Sequence, residues 1–249
     1  MFNSVFNAYS RYYELLYQDK DYAGEVAYVR DLLYRHGINQ GDLLEFGSGT
    51  GKHGRLLAAQ GYTVHGIERS SEMMAQADAA PGFTCQQGDI CTVQLDRTFN
   101  GVISLFHVVS YQVSNGLLRA VFQNAAAHLE KGGLFIFDFW YTPAVYAQQP
   151  SVRVKRMSDA KLEITRIAEP DIYANENRVD VNYTIYACNN SDGSVQILQE
   201  KHPMRHFSLP EIDILAEITD FHRVGAEEFL TKSKPSPRTW SVCVCLQKV

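Results

Sequence analysis

The sequence has few of the features that direct a protein to a membrane or to nucleic acid. No apolar run approaches the roughly 20 residues of a membrane-spanning helix. The N-terminus also has no basic start followed by an apolar stretch, as a secretory signal would. The formal net charge is -5 without a long Lys/Arg run, which argues against a nucleic-acid backbone as partner. We therefore expect a cytoplasmic protein that binds neither membranes nor nucleic acid.

Cysteine is also scarce, and its spacing argues against a metal site. The five cysteines are odd in number and form no Cys-x-x-Cys pair, so the usual zinc-ligand spacing is absent. Cys243 and Cys245 lie two apart in an apolar run, which on a strand places both on one face. We expect buried thiols in a reducing compartment and no metal.

The remaining composition suits a globular enzyme-sized domain. Apolar residues make up 45% of the 249 residues, enough for one large domain or one domain with an insertion. Strand and helix patterns alternate from residue 42 to residue 139, which predicts a doubly wound α/β sheet. The fifth strand, 134–139, is an unbroken apolar run, as in a parallel strand buried on both faces.

The pattern changes after Pro150. Four strand-like segments with turn signals between them predict an antiparallel β insertion over residues 151–207. Ser208 and Glu211 then have the spacing of a helix capping box. Two last strands, 221–229 and 239–248, are expected to complete a mostly parallel seven-stranded sheet.

A glycine loop follows the first predicted strand, with the spacing Gly47-x-Gly49-x-Gly51. Glycine lets a strand turn tightly into a helix while the backbone comes close to a ligand. The helix start also presents free N–H groups to polar ligand atoms. Such a loop alone is a weak signal, because dinucleotide-binding proteins use one too.

Acidic residues at the ends of three consecutive strands narrow the choice of ligand. Glu45, Glu68 and Asp89 should meet along one crevice at the carboxyl edge of the sheet. A carboxylate at Glu45 would repel a pyrophosphate but suits an ammonium group, such as that of S-adenosylmethionine (SAM). Glu68 is placed to accept from ribose hydroxyls, and Asp89 from an adenine amino group. These features, with the glycine spacing, argue against the alternative of a nicotinamide-binding oxidoreductase.

The motifs resemble those of class I SAM-dependent methyltransferases. Residues 44–51 resemble the first motif of that superfamily, 88–90 its adenine-contacting motif, and 129–134 the turn before its fifth strand. The resemblance implies a Rossmann-like fold with SAM as cofactor and S-adenosylhomocysteine as product. The cofactor contacts it implies are Tyr22, Glu45, Gly47, Ser48, Gly49, Glu68, Arg69, Met73, Asp89, Ile90 and Phe106.

A narrower resemblance concerns the N-terminal segment. Residues 13–17 and 20–22 are similar to those of small-molecule N-methyltransferases that dimethylate nucleotide-linked amino sugars. The similarity implies that the aromatic segment closes over SAM, with Tyr13 beside the acceptor and Tyr22 near the SAM carboxylate. A histidine of that family falls on Tyr111 here, so a catalytic base does not transfer simply.

The resemblance also implies a division of the chain. Residues 1–37 would form an aromatic lid and helix, 38–150 and 208–249 the SAM-binding domain, and 151–207 an insertion over the acceptor site. A homodimer is one expected assembly, although no pattern fixes it. A small-molecule O-methyltransferase and a non-catalytic SAM-binding module stay open as alternatives.

Residues near the sheet edge are candidates for the chemistry. His107 is a candidate general base because its ordinary pKa lies near neutrality. Tyr13 and Tyr111 are candidates to orient an acceptor amine by hydrogen bonding. Substrate contacts are predicted for three further residues: an apolar wall at Trp140 and Tyr141, and an ion pair between a substrate diphosphate and Arg153.

Overall fold

A computed structural model describes residues 10–249. The part of the predicted lid in residues 1–9 lies outside the described residues. The α-helices are α1 Ser10–Leu16, α2 Tyr22–Arg35, α3 Lys52–Ala58, α4 Ser71–Met74, α5 Asn115–Ala127, α6 Thr142–Gln148 and α7 Leu209–Glu217. The strands are β1 Gly41–Phe46, β2 Tyr62–Glu68, β3 Phe83–Gln87, β4 Phe99–Ser104, β5 Leu129–Trp140, β6 Arg153–Ser158, β7 Leu162–Tyr173, β8 Arg178–Asn189, β9 Val195–Arg205, β10 Phe221–Glu228 and β11 Ser241–Lys248.

The main sheet has seven strands in the order β10-β11-β5-β4-β1-β2-β3. Strands β1 to β5 pair in parallel, whereas β11 is antiparallel to both β5 and β10. This confirms the predicted doubly wound, mostly parallel sheet. The strand order reverses beside β1, between β4 and β2. Ligands of open α/β sheets bind in the crevice outside the carboxyl ends of the strands at such a point.

Helices cover both faces of the main sheet, which explains the apolar run of β5. Phe135 and Phe137 point into one core layer with Phe122 of α5. Leu134 and Ile136 point into the layer on the opposite face. These five side chains are fully buried, and each contributes roughly 1.5–3 kcal/mol by leaving water.

The predicted insertion forms a second sheet, antiparallel and four-stranded, in the order β6-β7-β8-β9. The chain after the insertion returns to the carboxyl end of β5. The N–H of Phe207 donates to the carbonyl of Trp140 at 3.0 Å, and the N–H of Thr142 donates to that of Phe207 at 2.9 Å. The chain thus leaves and re-enters the main domain at nearly the same point.

Two local expectations differ from the structure. The helix predicted over 71–79 ends at Met74, where i→i+3 bonds replace the helical ones, such as that from the N–H of Ala77 to the carbonyl of Met74 at 2.9 Å. Ser208 does begin α7, but its side chain accepts no capping bond, and the Glu211 carboxylate pairs with Arg205. Within residues 10–249, no helix has the length and apolar character needed to cross a bilayer.

Candidate active site

The glycine loop turns from β1 into α3 as predicted. Gly47 has a φ of +74°, and a Cβ added there would lie 2.6 Å from Cγ2 of Val108. Any larger side chain would therefore be strained and would collide with the segment that follows β4. Glycine at position 47 therefore lets Val108 pack directly against the loop backbone at the sheet edge.

Glu68, at the end of β2, fastens the glycine loop. Its Oε2 accepts the N–H of Gly49 and its Oε1 that of Ser70, each at 2.8 Å. Burial raises the pKa of Glu68, while these backbone donors act in the opposite direction. Each carboxylate oxygen can still accept a further bond from a ligand hydroxyl.

A cavity of about 260 Å³ opens at this edge of the sheet. It brings together most residues predicted to contact the cofactor, together with two of the predicted catalytic tyrosines. The predicted residues on its wall are Tyr13, Tyr22, Gly47, Ser48, Gly49, Glu68, Arg69, Met73, Asp89, Ile90, Phe106 and Tyr111.

Glu45 is the exception among the predicted cofactor contacts. It is 1% exposed and does not line the cavity. A Cβ added at Gly54 would lie 2.6 Å from its Oε2, which places the carboxylate under α3. Burial raises the pKa of Glu45 to about 8, and the charge of Glu68 adds to the shift. The structure thus corrects the expected contact with a ligand ammonium group: Glu45 supports the loop from beneath.

A network of charged side chains beside the glycine loop was not predicted. His53, on the cavity wall, has Nε2 at 2.6 Å from Oε2 of Glu25, which also contacts the Lys20 ammonium. That ammonium lies 4.6 Å from the ring centroid of Tyr22 and 4.5 Å from that of Phe106. The segment after α1 is therefore bound to the cavity wall by both ionic and cation–π contacts.

Helix α1 is fastened over the glycine loop through Glu14. Thr50 Oγ1 donates to its Oε1 at 2.7 Å, and the Lys52 ammonium contacts its Oε2. Tyr13 of the same helix reaches the cavity wall. The N-terminal segment therefore covers the end of the cavity nearest the glycines.

A strained turn follows β4. Phe106 and His107 both have positive φ, 66° and 62°, which costs non-glycine residues of order 1–3 kcal/mol each. Asp138 stabilises this turn: the N–H of His107 donates to Oδ1 at 3.2 Å, and Nδ1 of His107 lies 2.7 Å from Oδ2. Burial would raise the pKa of Asp138, but His107 holds it below its ordinary value.

His107 itself is not on the cavity wall. Its ring packs beside Phe106 and edge-on to Trp140, with centroids 6.0 Å and 5.9 Å away. Its role as a general base stays a prediction.

Tyr111, by contrast, lines the cavity at the end of the 3-10 turn Val108–Tyr111. Its hydroxyl lies 2.8 Å from Nδ1 of His202 on β9, so it connects the cavity to the insertion. Burial raises the pKa of Tyr111 well above its usual range, and its phenol is therefore neutral.

The predicted substrate contacts on the far side of β5 lie away from the cavity. Trp140 packs against Trp240, with ring centroids 5.6 Å apart. Tyr141 packs against the core and begins α6, and Arg153 is exposed at the start of β6. None of these three lines the cavity, because their strand positions direct them to packing or to solvent. Instead, the insertion contributes Pro203 to the wall.

Comparison with known proteins identifies the family. A family profile described as a methyltransferase domain matches residues 43–133. The chain is 30% identical over 177 residues to the dTDP-3-amino-3,4,6-trideoxy-alpha-D-glucopyranose N,N-dimethyltransferase of Streptomyces venezuelae, covering 70% of this chain and 74% of the relative. It is 28% identical over 176 residues to the dTDP-3-amino-3,6-dideoxy-alpha-D-glucopyranose N,N-dimethyltransferase of Streptomyces fradiae, covering 70% and 69%. The chain belongs to the class I SAM-dependent methyltransferases.

Two solved structures have the same fold as this methyltransferase. A sugar N-methyltransferase from Streptoalloteichus superposes with a TM-score of 0.82 at 18% identity, covering 100% of this chain and 96% of that one. A SAM-bound amino pentose methyltransferase from Micromonospora gives 0.77 at 20% identity, with both chains fully covered. At these identities the likeness shows the fold alone, including the antiparallel insertion.

The cavity of this methyltransferase fits its cofactor, SAM. The backbone of Gly47 and Gly49 borders the cavity, and Met73 packs 3.4 Å from the position a Cβ of Gly49 would take. Glu68 lies on the cavity wall beside the loop and presents carboxylate oxygens there. Loop, carboxylate and apolar wall together suit an adenosyl group that carries no phosphate.

Sequence reasoning missed several wall residues of this methyltransferase. They are Thr50, Lys52, His53, Ser70, Leu105, Val108, Gln112, Val113, Leu117 and Pro203. Thr50 lies between the last two glycines, and Lys52 and His53 begin α3 directly after them, so their place at a ligand-facing helix start was a usable signal. The position of Val108 follows from the structure around Gly47, because the Val108 side chain occupies the space that a Cβ at position 47 would need. No local pattern points to Pro203, because it arrives from a distant strand.

Proposed function

We propose that this methyltransferase methylates the amino group of a nucleotide-linked sugar. The observation that carries the proposal is that one cavity is bordered by Tyr13 of α1, by Tyr111 and by Pro203 of the insertion. Two curated relatives are named for N,N-dimethylation of dTDP-linked amino sugars. Their likeness extends well beyond residues 43–133, the span of the methyltransferase profile.

We propose the following places for the cofactor. The methionine end lies over Gly47, Ser48 and Gly49, with its carboxylate near Tyr22 and Lys52. The Lys52 ammonium lies 4.8 Å from the Tyr22 ring centroid, and both residues line the cavity. A cation at this point compensates the negative charge of a carboxylate, which Tyr22 alone does not.

The adenosyl end extends past β2 and β3. Glu68 accepts from the ribose hydroxyls, and Met73 packs on one side of the adenine. Asp89 and Ile90 flank the other side. One oxygen of Asp89 already accepts the N–H of Cys91 at 2.8 Å, which fixes the orientation of the carboxylate. Arg69 borders this end of the cavity.

When bound, SAM supplies an electrophilic methyl group. The protein therefore has to position the acceptor nitrogen, exclude water and leave that nitrogen neutral. Tyr13 and Tyr111 can each hydrogen-bond the amine from opposite elements. Glu14 holds α1 against the glycine loop through its bond with Thr50. Helix α1 thereby keeps water away from the loop side of the cavity. An amine needs no further activation once it has lost its proton.

The test uses the purified chain, methyl-labelled SAM and two acceptors: dTDP-3-amino-3,6-dideoxy-alpha-D-glucopyranose and its counterpart with a hydroxyl in place of the amine. We expect label and added methyl mass on the amine alone. Methylation of the hydroxyl compound would favour an O-methyltransferase. SAM binding with neither acceptor methylated would contradict the proposed substrate. Homodimer formation stays a prediction that light scattering of the purified chain tests.

A further inference from the structure

Cys91 connects two polar residues of the cavity wall, Asp89 and Gln112. Its backbone N–H donates to Oδ1 of Asp89 at 2.8 Å, and its thiol lies 3.4 Å from Oε1 of Gln112. A second acceptor within reach of the thiol, the carbonyl oxygen of Leu117, is farther away at 3.8 Å. Asp89 and Gln112 both line the cavity, so Cys91 holds two side chains that border the same space.

The thiol fixes the orientation of the Gln112 amide. Burial and the charge of Asp89 raise the pKa of Cys91 to about 12, so the thiol keeps its hydrogen and is a donor. A donor pairs with Oε1 of the amide, because Nε2 carries two hydrogens and has no acceptor capacity. Nε2 therefore points away from Cys91, and among residues 10–249 no acceptor is bonded to it.

The backbone holds Gln112 at this place on the wall. Its N–H donates to the carbonyl of Val109 at 3.0 Å, at the end of the 3-10 turn Val108–Tyr111. Val108 of the same turn packs against Gly47 of the glycine loop. The amide is therefore positioned relative to the loop before a ligand arrives, which reduces the entropy that binding costs.

An acceptor and a donor held close together are complementary to adenine. The 6-amino group of adenine donates, and the ring nitrogens that flank it, N1 and N7, accept. The Asp89 carboxylate only accepts, whereas Nε2 of Gln112 only donates. A purine with a 6-keto group would instead place an oxygen against the carboxylate, which is unfavourable.

We propose that Gln112 takes part in selecting adenine as the base of the cofactor. Its Nε2 donates to a ring nitrogen beside the 6-amino group of SAM, while Asp89 accepts from the amino group itself. The inference rests on the placement of the adenosyl end within the proposed function and adds a residue that recognises the ring. Gln112 thus determines cofactor specificity and takes no part in the transfer of the methyl group.

Calorimetry with three ligands tests the contact. They are S-adenosylhomocysteine and its 1-deaza and 7-deaza analogues, each of which lacks one ring nitrogen. Gln112→Met has nearly the same length but no donor, so it should bind S-adenosylhomocysteine about 3- to 10-fold more weakly than the wild type. The wild type should lose a similar factor with one of the two analogues. That analogue should show no further loss with Gln112→Met, because the two changes remove the same hydrogen bond.

Two further variants complete the design. Gln112→Glu keeps an oxygen for the thiol but has no donor, so its affinity for the same analogue should not fall below its affinity for S-adenosylhomocysteine. Gln148→Met is the matched control, because the exposed Gln148 amide on α6 donates to the carbonyl of Pro237. It should bind all three ligands as the wild type does.

Coupling between Gln112 and either analogue supports the proposal and identifies the ring nitrogen. Losses that add for both analogues, or an unchanged affinity of Gln112→Met for S-adenosylhomocysteine, overturn the contact. The proposed acceptor stands in that case, provided that the wild type methylates the amino sugar. If the coupling is found but no amino sugar is methylated, the proposed acceptor fails while the contact between Gln112 and adenine stands.

Discussion

Glu68 accepts the backbone N–H of Gly49 at 2.8 Å, so the carboxylate that ends β2 sets the conformation of the loop that ends β1. The same carboxylate faces the cavity. One side chain therefore shapes the glycine loop and is also the residue that we propose to bind the ribose. This pairing makes the cofactor site sensitive to the charge of Glu68 as well as to its size.

Glu68→Gln should weaken SAM binding by roughly 10- to 100-fold, the equivalent of one hydrogen bond to a charged group. The amide has nearly the same shape but lacks one acceptor oxygen. Calorimetry with SAM measures the change. Glu72→Gln, at an exposed glutamate in the first turn of α4, is the control. Equal affinities for the two variants would show that the ribose lies elsewhere.

Gly47→Ala should abolish most SAM binding, because the new methyl group meets Val108 at 2.6 Å and moves the loop. Gly37→Ala is a matched control: φ is +82°, yet nothing lies within 4 Å of the added Cβ. Both variants should lose about 1–2 kcal/mol in free energy of unfolding through backbone strain. Denaturant unfolding measures this loss. Only the first should lose affinity.

The double variant Gly47→Ala/Val108→Ala removes the collision but keeps the strained φ. We expect it to recover part of the SAM affinity. No recovery at all would mean that backbone strain, and not contact with Val108, explains the need for glycine.

Tyr13→Phe should slow turnover by about 3- to 10-fold, the effect of one lost hydrogen bond, while SAM affinity changes little. Tyr12→Phe removes a hydroxyl from the same helix that donates to Gln196 at 3.0 Å, and serves as control. Steady-state kinetics and calorimetry separate the two effects. Equal losses of turnover and affinity in Tyr13→Phe would make the residue part of the cofactor cover only.

Glu45→Gln should stabilise the protein above about pH 8. The folded-state pKa is raised to about 8 by burial and by Glu68. Because the pKa of this carboxyl group is higher in the folded protein, its protonated form stabilises the fold fully below the unfolded-state pKa of about 4.3. That stabilisation is lost as pH rises through the folded-state pKa. The amide imitates the protonated form at every pH.

Chemical denaturation at about pH 6 and about pH 9 checks this sign, since the folded pKa lies between the two. The gain from Glu45→Gln should grow with pH, whereas the exposed Glu217→Gln on α7 should shift stability equally at both. Parallel curves for wild type and Glu45→Gln would contradict the raised pKa.

Local patterns made much of this site predictable. Glycine spacing and acids at strand ends are encoded within a few residues, so the loop, Glu68 and Asp89 could be placed before the fold was known. Glu45 shows the limit of such reasoning. Its position at a strand end was right, but the strand alternation turns its carboxylate beneath α3, against Gly54.

Long-range contacts were not predictable. Pro203 and His202 reach the cavity region from β9, about ninety residues after Tyr111, and only the sheet register of the insertion brings them there. Trp140 looked like a substrate wall because it follows β5, yet Trp240, one hundred residues later, covers it. Partners so distant in sequence leave no local signature on either side.

Phe207 bonds to Trp140 and to Thr142, so residues 143–206 form a cassette that leaves and re-enters the main domain at one place. Transplanting such a cassette between family members would disturb few main-chain bonds of the cofactor half.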